Sequence, residues 1–169
     1  FPPSFHRTPE SLEYLASLLA ALGPYPVAVE LRHRDWSDRH DETVALLAAH
    51  GATWVQIDEP KFTFSIRQSA DRPGPGPLYM RLHGRNAAKW WTHDLPEERY
   101  DYLYSGRELD EVADAVERIK GRAGKTRAYV YLNNHFAAKA VVNATMLKQL
   151  LGEPIRGEYR SELVERYPE

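Results

Sequence analysis

Pro77-Leu-Tyr-Met-Arg-Leu-His-Gly-Arg-Asn86 decides the fold. It alternates with a period of two. Leu78, Met80 and Leu82 fall on one face; Tyr79, Arg81 and His83 fall on the other. Gly84 ends the strand and a polar loop follows. One face is strictly apolar and belongs under a helix. The other carries a guanidinium and an imidazole. It either lines a wet site or holds partners for them, because an unpaired buried polar group is costly.

Three more stretches repeat the pattern. Val27–Arg32 sets Val27, Val29 and Leu31 against Ala28, Glu30 and Arg32. Thr53–Asp58 sets Val55 and Ile57 against Trp54, Gln56 and Asp58. Thr126–Asn134 sets Val130 and Leu132 against Tyr129, Tyr131 and Asn133. Helical signals lie between them. Thr8-Pro9-Glu10 reads as an N-cap, a proline at the first helical position and an acid in the first turn, and Gly23-Pro24 stops that helix. Ser37 and Asp38 are expected to cap a second helix carrying Val44, Leu46 and Leu47. Ser105-Gly-Arg-Glu108 is a capping box, opening a helix that buries Leu109, Val112, Val116 and Ile119. A last long helix is expected over 137–150 and a short one over 160–167. Residues 71–77, rich in proline and glycine, read as a loop. So does the aromatic stretch 86–104, whose tryptophans and tyrosines are expected to pack on the rim rather than form a stacking lid.

Strands alternating with helices imply parallel pairing with right-handed crossovers. A doubly wound sheet wants both faces apolar. The polar second face favours a (β/α) barrel, in which polar side chains point inward near the top. The expected architecture is α/β and TIM-barrel-like: four parallel strands with flanking helices, about the second half of an eight-stranded barrel. Residues 1–169 are expected to form a single α/β domain. Phe1-Pro-Pro-Ser-Phe5 opens in mid-phrase, as if just after a strand. The N-terminal half of the barrel is therefore expected to lie outside this chain, and the chain to pair with that half or with another copy of itself.

At 169 residues, 43% hydrophobic and 27% charged, the chain has the make-up of a globular domain with a sizeable core. A net charge of −2 argues against nucleic acid as a partner, although Arg32, Arg34, Arg39, Arg81 and Arg85 make a local basic patch. The absence of cysteine excludes disulfides, thiolate metal sites and thiol nucleophiles, and fits a reducing compartment. No apolar run approaches the roughly 20 residues of a spanning helix, so no membrane partner is expected.

Charge collects where the strands end. The first ends in Glu30, Arg32, His33 and Asp35, the second in Asp58 and Glu59. The third ends in Arg81, His83, Arg85 and Asn86, the fourth in Asn133, Asn134 and His135. In barrels this rim is where active sites are built. Asp58, His83 and Glu30 are the candidate acid–base residues. Arg81 and Arg32 are candidates for holding an anionic group, and Asn133, His135 and Asn86 for orienting a substrate. Each has a plainer reading. Glu30 and Arg81 can form a buried ion pair, Asp58-Glu59-Pro60 a turn, Asn134 a helix cap, and His135 a helix entry. A divalent metal on Glu30, Asp58 and His83 is the one cofactor these donors fit, though no HExxH spacing accompanies them. The expected function is an enzyme of hydrolase or isomerase type, acting on a small polar, sugar-like or phosphorylated molecule. The alternative is a non-catalytic binding module for nucleic acid or a protein partner.

Val29-Glu-Leu-Arg-His-Arg-Asp-Trp36, Asp41-Glu-Thr43, Asp58-Glu-Pro60, Tyr79-Met-Arg-Leu-His-Gly-Arg-Asn86, Arg99-Tyr-Asp-Tyr-Leu-Tyr-Ser105 and Asn133-Asn-His135 occur in this order. Together they resemble the DUF72 (YecE-like) family, and Phe1-Pro-Pro-Ser-Phe5 is similar to its motif after the fourth strand. The resemblance implies a TIM-barrel-like fold and a bacterial or archaeal cytoplasmic protein of uncharacterised function. It also implies a Gly-Thr-Ser-Gly-Trp-like first strand upstream. It supplies no reaction, only the motif positions as the place to look.

Overall fold

The computed structural model describes residues 1–69, 76–120 (side chains to 118), 127–158 and 161–167. The predicted loop positions 71–75, Thr126, Arg160 and the Ile119 side chain lie outside them. Helix α1 (Pro9–Ala21) starts where the sequence indicates, with Thr8 Oγ accepting from Ser11 N at 3.2 Å. It buries Leu15 and Leu19. After β1 (Ala28–Val29) comes a correction. Ser37 and Asp38 do not cap the second helix. A short α2 (Arg34–Asp38) already begins at His33, whose ring accepts from Asp35 N. The kink at Arg39 then admits α3 (His40–Ala49). Ser37 Oγ instead donates to Arg34 O and accepts from Arg67 N, tying this corner to the following loop.

The second extended run divides into β2 (Thr53–Trp54) and β3 (Gln56–Asp58). Strand β4 (Leu78–Leu82) follows, then α4 (Gly106–Lys120), β5 (Ala128–Leu132), α5 (Lys139–Leu150) and the short α6 (Ser161–Arg166). The Ser105 capping box forms as read: Glu108 Oε2 accepts from Ser105 N at 2.9 Å, and Ser105 Oγ accepts from Glu108 N at 3.4 Å. A single turn of 3₁₀ helix at Pro96–Tyr100 breaks the aromatic loop, in which Trp90 and Tyr104 are buried while Trp91 is exposed.

Among the described residues every ladder between named strands is parallel, beside one isolated antiparallel bridge from His33 to Ser65. Strand β1 pairs with β2, β3 with β4, and β4 with β5, so spatial order follows chain order. The registers place Asp58 beside Leu82 and Leu82 beside Leu132. The ladder then runs one bond further at each junction, from His83 N to Asp58 O at 2.8 Å and from Asn133 N to Leu82 O at 2.7 Å. Three strands thus end level and deliver Asp58, His83 and Asn133 to one edge. Among the described residues the ladders make a two-stranded sheet, β1–β2, and a three-stranded one, β3–β4–β5, and neither closes. One face is covered by helices over two apolar cores, the first built on Leu15, Trp36, Leu47 and Trp54, the second on Leu82, Tyr104, Leu109 and Leu147. The other face carries Tyr79, half-buried, with its ring stacked 5.0 Å from exposed Tyr131.

Candidate active site

Two polar clusters form at the C-terminal edge, and the predicted residues divide between them. The first centres on Glu30. Its Oε2 accepts from Arg81 Nη1 at 2.6 Å and its Oε1 from Arg32 Nε at 2.7 Å. Arg32 Nη2 lies 2.9 Å from His83 Nε2, and His83 Nε2 is 3.7 Å from Glu30 Oε1. Glu30, Arg32, Arg81 and His83 are therefore brought together as the alternation implies. Glu30 and Arg32 are i and i+2 on one strand face, and Arg81 and His83 repeat that spacing two strands away.

The electrostatics follow from that geometry. Burial would raise the Glu30 pKa, but the Arg32 and Arg81 guanidinium groups outweigh it and hold the carboxyl well below the usual carboxylate range. Burial pushes the His83 pKa down, and the Arg32 charge adds to this against the pull of Glu30. A guanidinium always donates, so Nε2 is the accepting nitrogen and the ring proton sits on Nδ1. That Nδ1 is buried without a hydrogen-bond partner. Glu59 joins from below: it is 5% exposed, and its Oε2 is 3.8 Å from Arg32 Nη1. Burial pushes its pKa up, so it is drawn toward its neutral form. The cluster sets two permanent cations, Arg32 and Arg81, against the firmly ionised Glu30, with Glu59 beside Arg32. Arg81 keeps a third of its side chain open to solvent.

The second cluster takes Asp58. Arg85 grips both its oxygens, with Nη2–Oδ2 at 2.7 Å and Nε–Oδ1 at 3.0 Å, and Tyr104 Oη donates to Oδ1 at 2.8 Å. Glu108 accepts from Arg85 Nη1 at 3.1 Å and from Tyr102 Oη at 2.6 Å. Asp58 meets His83 only through the backbone. Its carboxylate anchors the loop that carries Tyr102 and Tyr104. Glu30, Asp58 and His83 do not come within ligand distance of a common point among the described residues, and two guanidinium groups already occupy Glu30.

The remaining predicted residues are placed as follows. Asn86 Nδ2 donates to Glu98 O and Asp101 O, which folds the aromatic loop back on itself. Asn134 does not cap the last helix. It is fully buried, and its Nδ2 donates to Tyr102 O and to Asn143 Oδ1, each at 2.8 Å. Asn133 is half-buried at the edge. His135 is exposed, 5.2 Å from the Tyr100 ring, and Tyr100 in turn lies 6.4 Å from His83. Tyr100 thus stands between the two histidines. From the sequence, Glu59 is legible only as a rim or turn residue and Tyr100 and Tyr104 only as aromatics packing the loop; their places beside Arg32, His83 and Asp58 are not. Glu108 was legible as a cap, but its second oxygen, which serves Arg85, was not.

The model for "Protein of unknown function DUF72" matches residues 1–165. The chain belongs to the DUF72 family. A curated relative, the UPF0759 protein YunF of Bacillus subtilis (strain 168), is 27% identical over 158 residues, covering 89% of this chain and 55% of that protein. The crystal structure of a DUF72 family protein from Thermotoga maritima MSB8 superposes with a TM-score of 0.80 at 37% identity, covering 90% of this chain and 56% of that one. A DUF72 family protein from Enterococcus faecalis V583 shares the fold with a TM-score of 0.82 at 24% identity, covering 95% and 60%. The chain spans little more than half the length of these DUF72 relatives. No helix among the described residues is long and apolar enough to cross a membrane.

Proposed function

We propose that this chain supplies one wall of an enzyme active site for a small polar, anionic molecule, sugar-like or phosphorylated. The site lies at the C-terminal rim of a TIM-barrel-like sheet, in a cytoplasmic enzyme of hydrolase or isomerase type. One observation carries the reading. Arg32 and Arg81 converge on the ionised Glu30 carboxylate, and Arg81 keeps a third of its side chain open to solvent, so a guanidinium with free donors faces a partly open edge. Such an edge suits a phosphate or carboxylate. Four extended runs in chain order are half of what an eight-stranded barrel needs. Ligands of α/β sheets bind beyond the C-terminal strand ends in any case.

In this reading Arg81 is the anion-binding residue, because it is the more exposed of the two. Glu30 positions both guanidinium groups and Arg32 holds His83 neutral. Tyr100, His135 and Asn133 face the substrate's polar groups. Asp58 contributes by holding the Tyr102–Tyr104 loop in place. The test is thermal shift and calorimetry of the full-length protein against inorganic phosphate and a panel of sugar phosphates, followed by assays of hydrolysis and isomerisation for any that bind. The expected result is stabilisation that Arg81→Gln abolishes. Binding that is unchanged in Arg81→Gln, or absent for every anion, overturns the reading.

A further inference from the structure

A second group of donors lies at the β1–α2 corner, outside the cluster just described. His6, His33 and Asp35 place one ligand atom each within 4.8 Å of the others. Asp35 Oδ2 is 3.1 Å from His6 Nδ1 and 3.0 Å from His33 Nδ1, and the two imidazole rings are 3.9 Å apart. We propose that these three side chains form a binding site for a divalent first-row transition metal ion.

The donor set is the first argument. Two imidazoles and one carboxylate are the ligands that Zn²⁺ and its first-row neighbours favour, and a site with three protein ligands leaves a coordination position open. Spacing is the second. With metal–ligand bonds of about 2.0–2.2 Å, neighbouring donors sit roughly 3.3–3.6 Å apart in tetrahedral geometry and roughly 2.8–3.1 Å apart at the right angles of an octahedral or five-coordinate site, the geometry that applies here. Both carboxylate-to-imidazole separations fall inside that range.

The site is also built rather than incidental. His33 is buried and lies parallel to the Phe64 ring at 6.5 Å. The segment that carries His6 is pinned by Trp36 Nε1 donating to Phe5 O at 2.9 Å and by the Phe5 ring stacked on Trp36. Arg34, the cation next in sequence, is engaged by Asp38 and Thr63 O. His6 and Asp35 are about half open to solvent, which leaves room for a water or substrate ligand on the metal.

The experiment is calorimetric titration of the chelator-stripped full-length protein with Zn²⁺ alone, and with Co²⁺ read by its visible absorption. The expected result is one ion per chain with a nitrogen–oxygen Co²⁺ spectrum. His6→Ala and Asp35→Asn should each weaken binding by at least about tenfold. His6 is exposed and Asp35 half-buried, so melting temperature measured without metal separates lost ligation from lost folding. His93→Ala, at another histidine, should change nothing. Absence of stoichiometric binding overturns the proposal, as does binding indifferent to His6→Ala and Asp35→Asn.

Discussion

Arg81 reaches across the sheet from β4 and sets its Nη1 2.6 Å from Oε2 of Glu30, which lies just past β1. The contact joins residues 51 positions apart and closes the first polar cluster. Removing the acid leaves Arg32 and Arg81 facing each other with nothing between them. Glu30→Gln should therefore cost about 2–3 kcal/mol, less than a fully buried pair because Arg81 is partly open. Arg81→Leu should cost less, since Arg32 still neutralises Glu30. Urea denaturation of both single variants and the double variant measures the coupling, expected at about 1–2 kcal/mol. Strict additivity would mean that the two residues hold each other in geometry only.

His83 gives the cluster a pH signature. Burial, first, and the nearby guanidinium charge depress its pKa below the ordinary 6.5. The unfolded chain takes up a proton as pH falls through 6.5 while the folded chain refuses it, so stability is intact above 6.5 and is lost below it. The slope is at most about 1.4 kcal/mol per pH unit, and the loss levels off once the folded ring titrates. Glu59 works the other way: its raised pKa removes stability as pH rises above 4.5. Comparing wild type with His83→Gln isolates the histidine, because Glu59 is present in both. The difference in unfolding free energy between pH 8 and pH 5 should be larger in wild type. Parallel pH profiles for the two proteins would show that His83 titrates alike in both states.

Gly84 marks the point where the strand must turn. Its φ is +88°, and a Cβ there would stand 2.7 Å from Tyr102 Cβ. Its N–H donates to Tyr104 Oη, the same hydroxyl that donates to Asp58. Gly84→Ala should cost about 2–4 kcal/mol from strain and overlap together. Tyr104→Phe keeps the packing and removes only the hydroxyl, so about 1–3 kcal/mol is expected from the two hydrogen bonds lost. Chemical denaturation ranks the pair; an equal or larger loss for Tyr104→Phe would move the weight from backbone geometry to the hydroxyl.

Much of this was readable from one dimension because period two fixes sides. The alternation in 78–83 and 28–32 put Arg81, His83, Glu30 and Arg32 on a shared face, and the fold brings those four together. Asp58 fell on the wrong face: its register with Leu82 turns it to the helix-covered side, away from Arg81 and His83. Its destination depends on Arg85 and Tyr104, which reach it from a turn and from a loop without period, and no spacing rule joins 58 to 104. The Ser37–Asp38 cap failed for a related reason: Ser37 spends its hydroxyl on Arg34 O within the short helix and on Arg67 N from the following loop, and His33 takes the capping position instead. The His6–His33–Asp35 group escaped because His6 precedes the first helix, far in sequence from its partners.

Behind β5 the chain turns through two residues that disfavour the conformation they adopt. Ala137 and Ala138 have φ of 52° and 64°, the left-handed region in which a Cβ meets the neighbouring carbonyl. Both are alanine, so each carries about 1–2 kcal/mol of backbone strain that glycine would not. The turn carries the chain from His135, beside Tyr100, into α5, whose Asn143 clamps Tyr104 through both backbone atoms. Packing of the helix on one side and the rim on the other forces the strain. Glycine also gains freedom in the unfolded chain, which offsets part of the relief. Ala138→Gly should therefore raise stability by up to about 1 kcal/mol, and Ala138→Val should lower it, because a β-branched side chain tolerates this region worse than alanine. Thermal melts of the two variants decide the matter. Destabilisation by glycine would show that the left-handed turn is not what limits this corner.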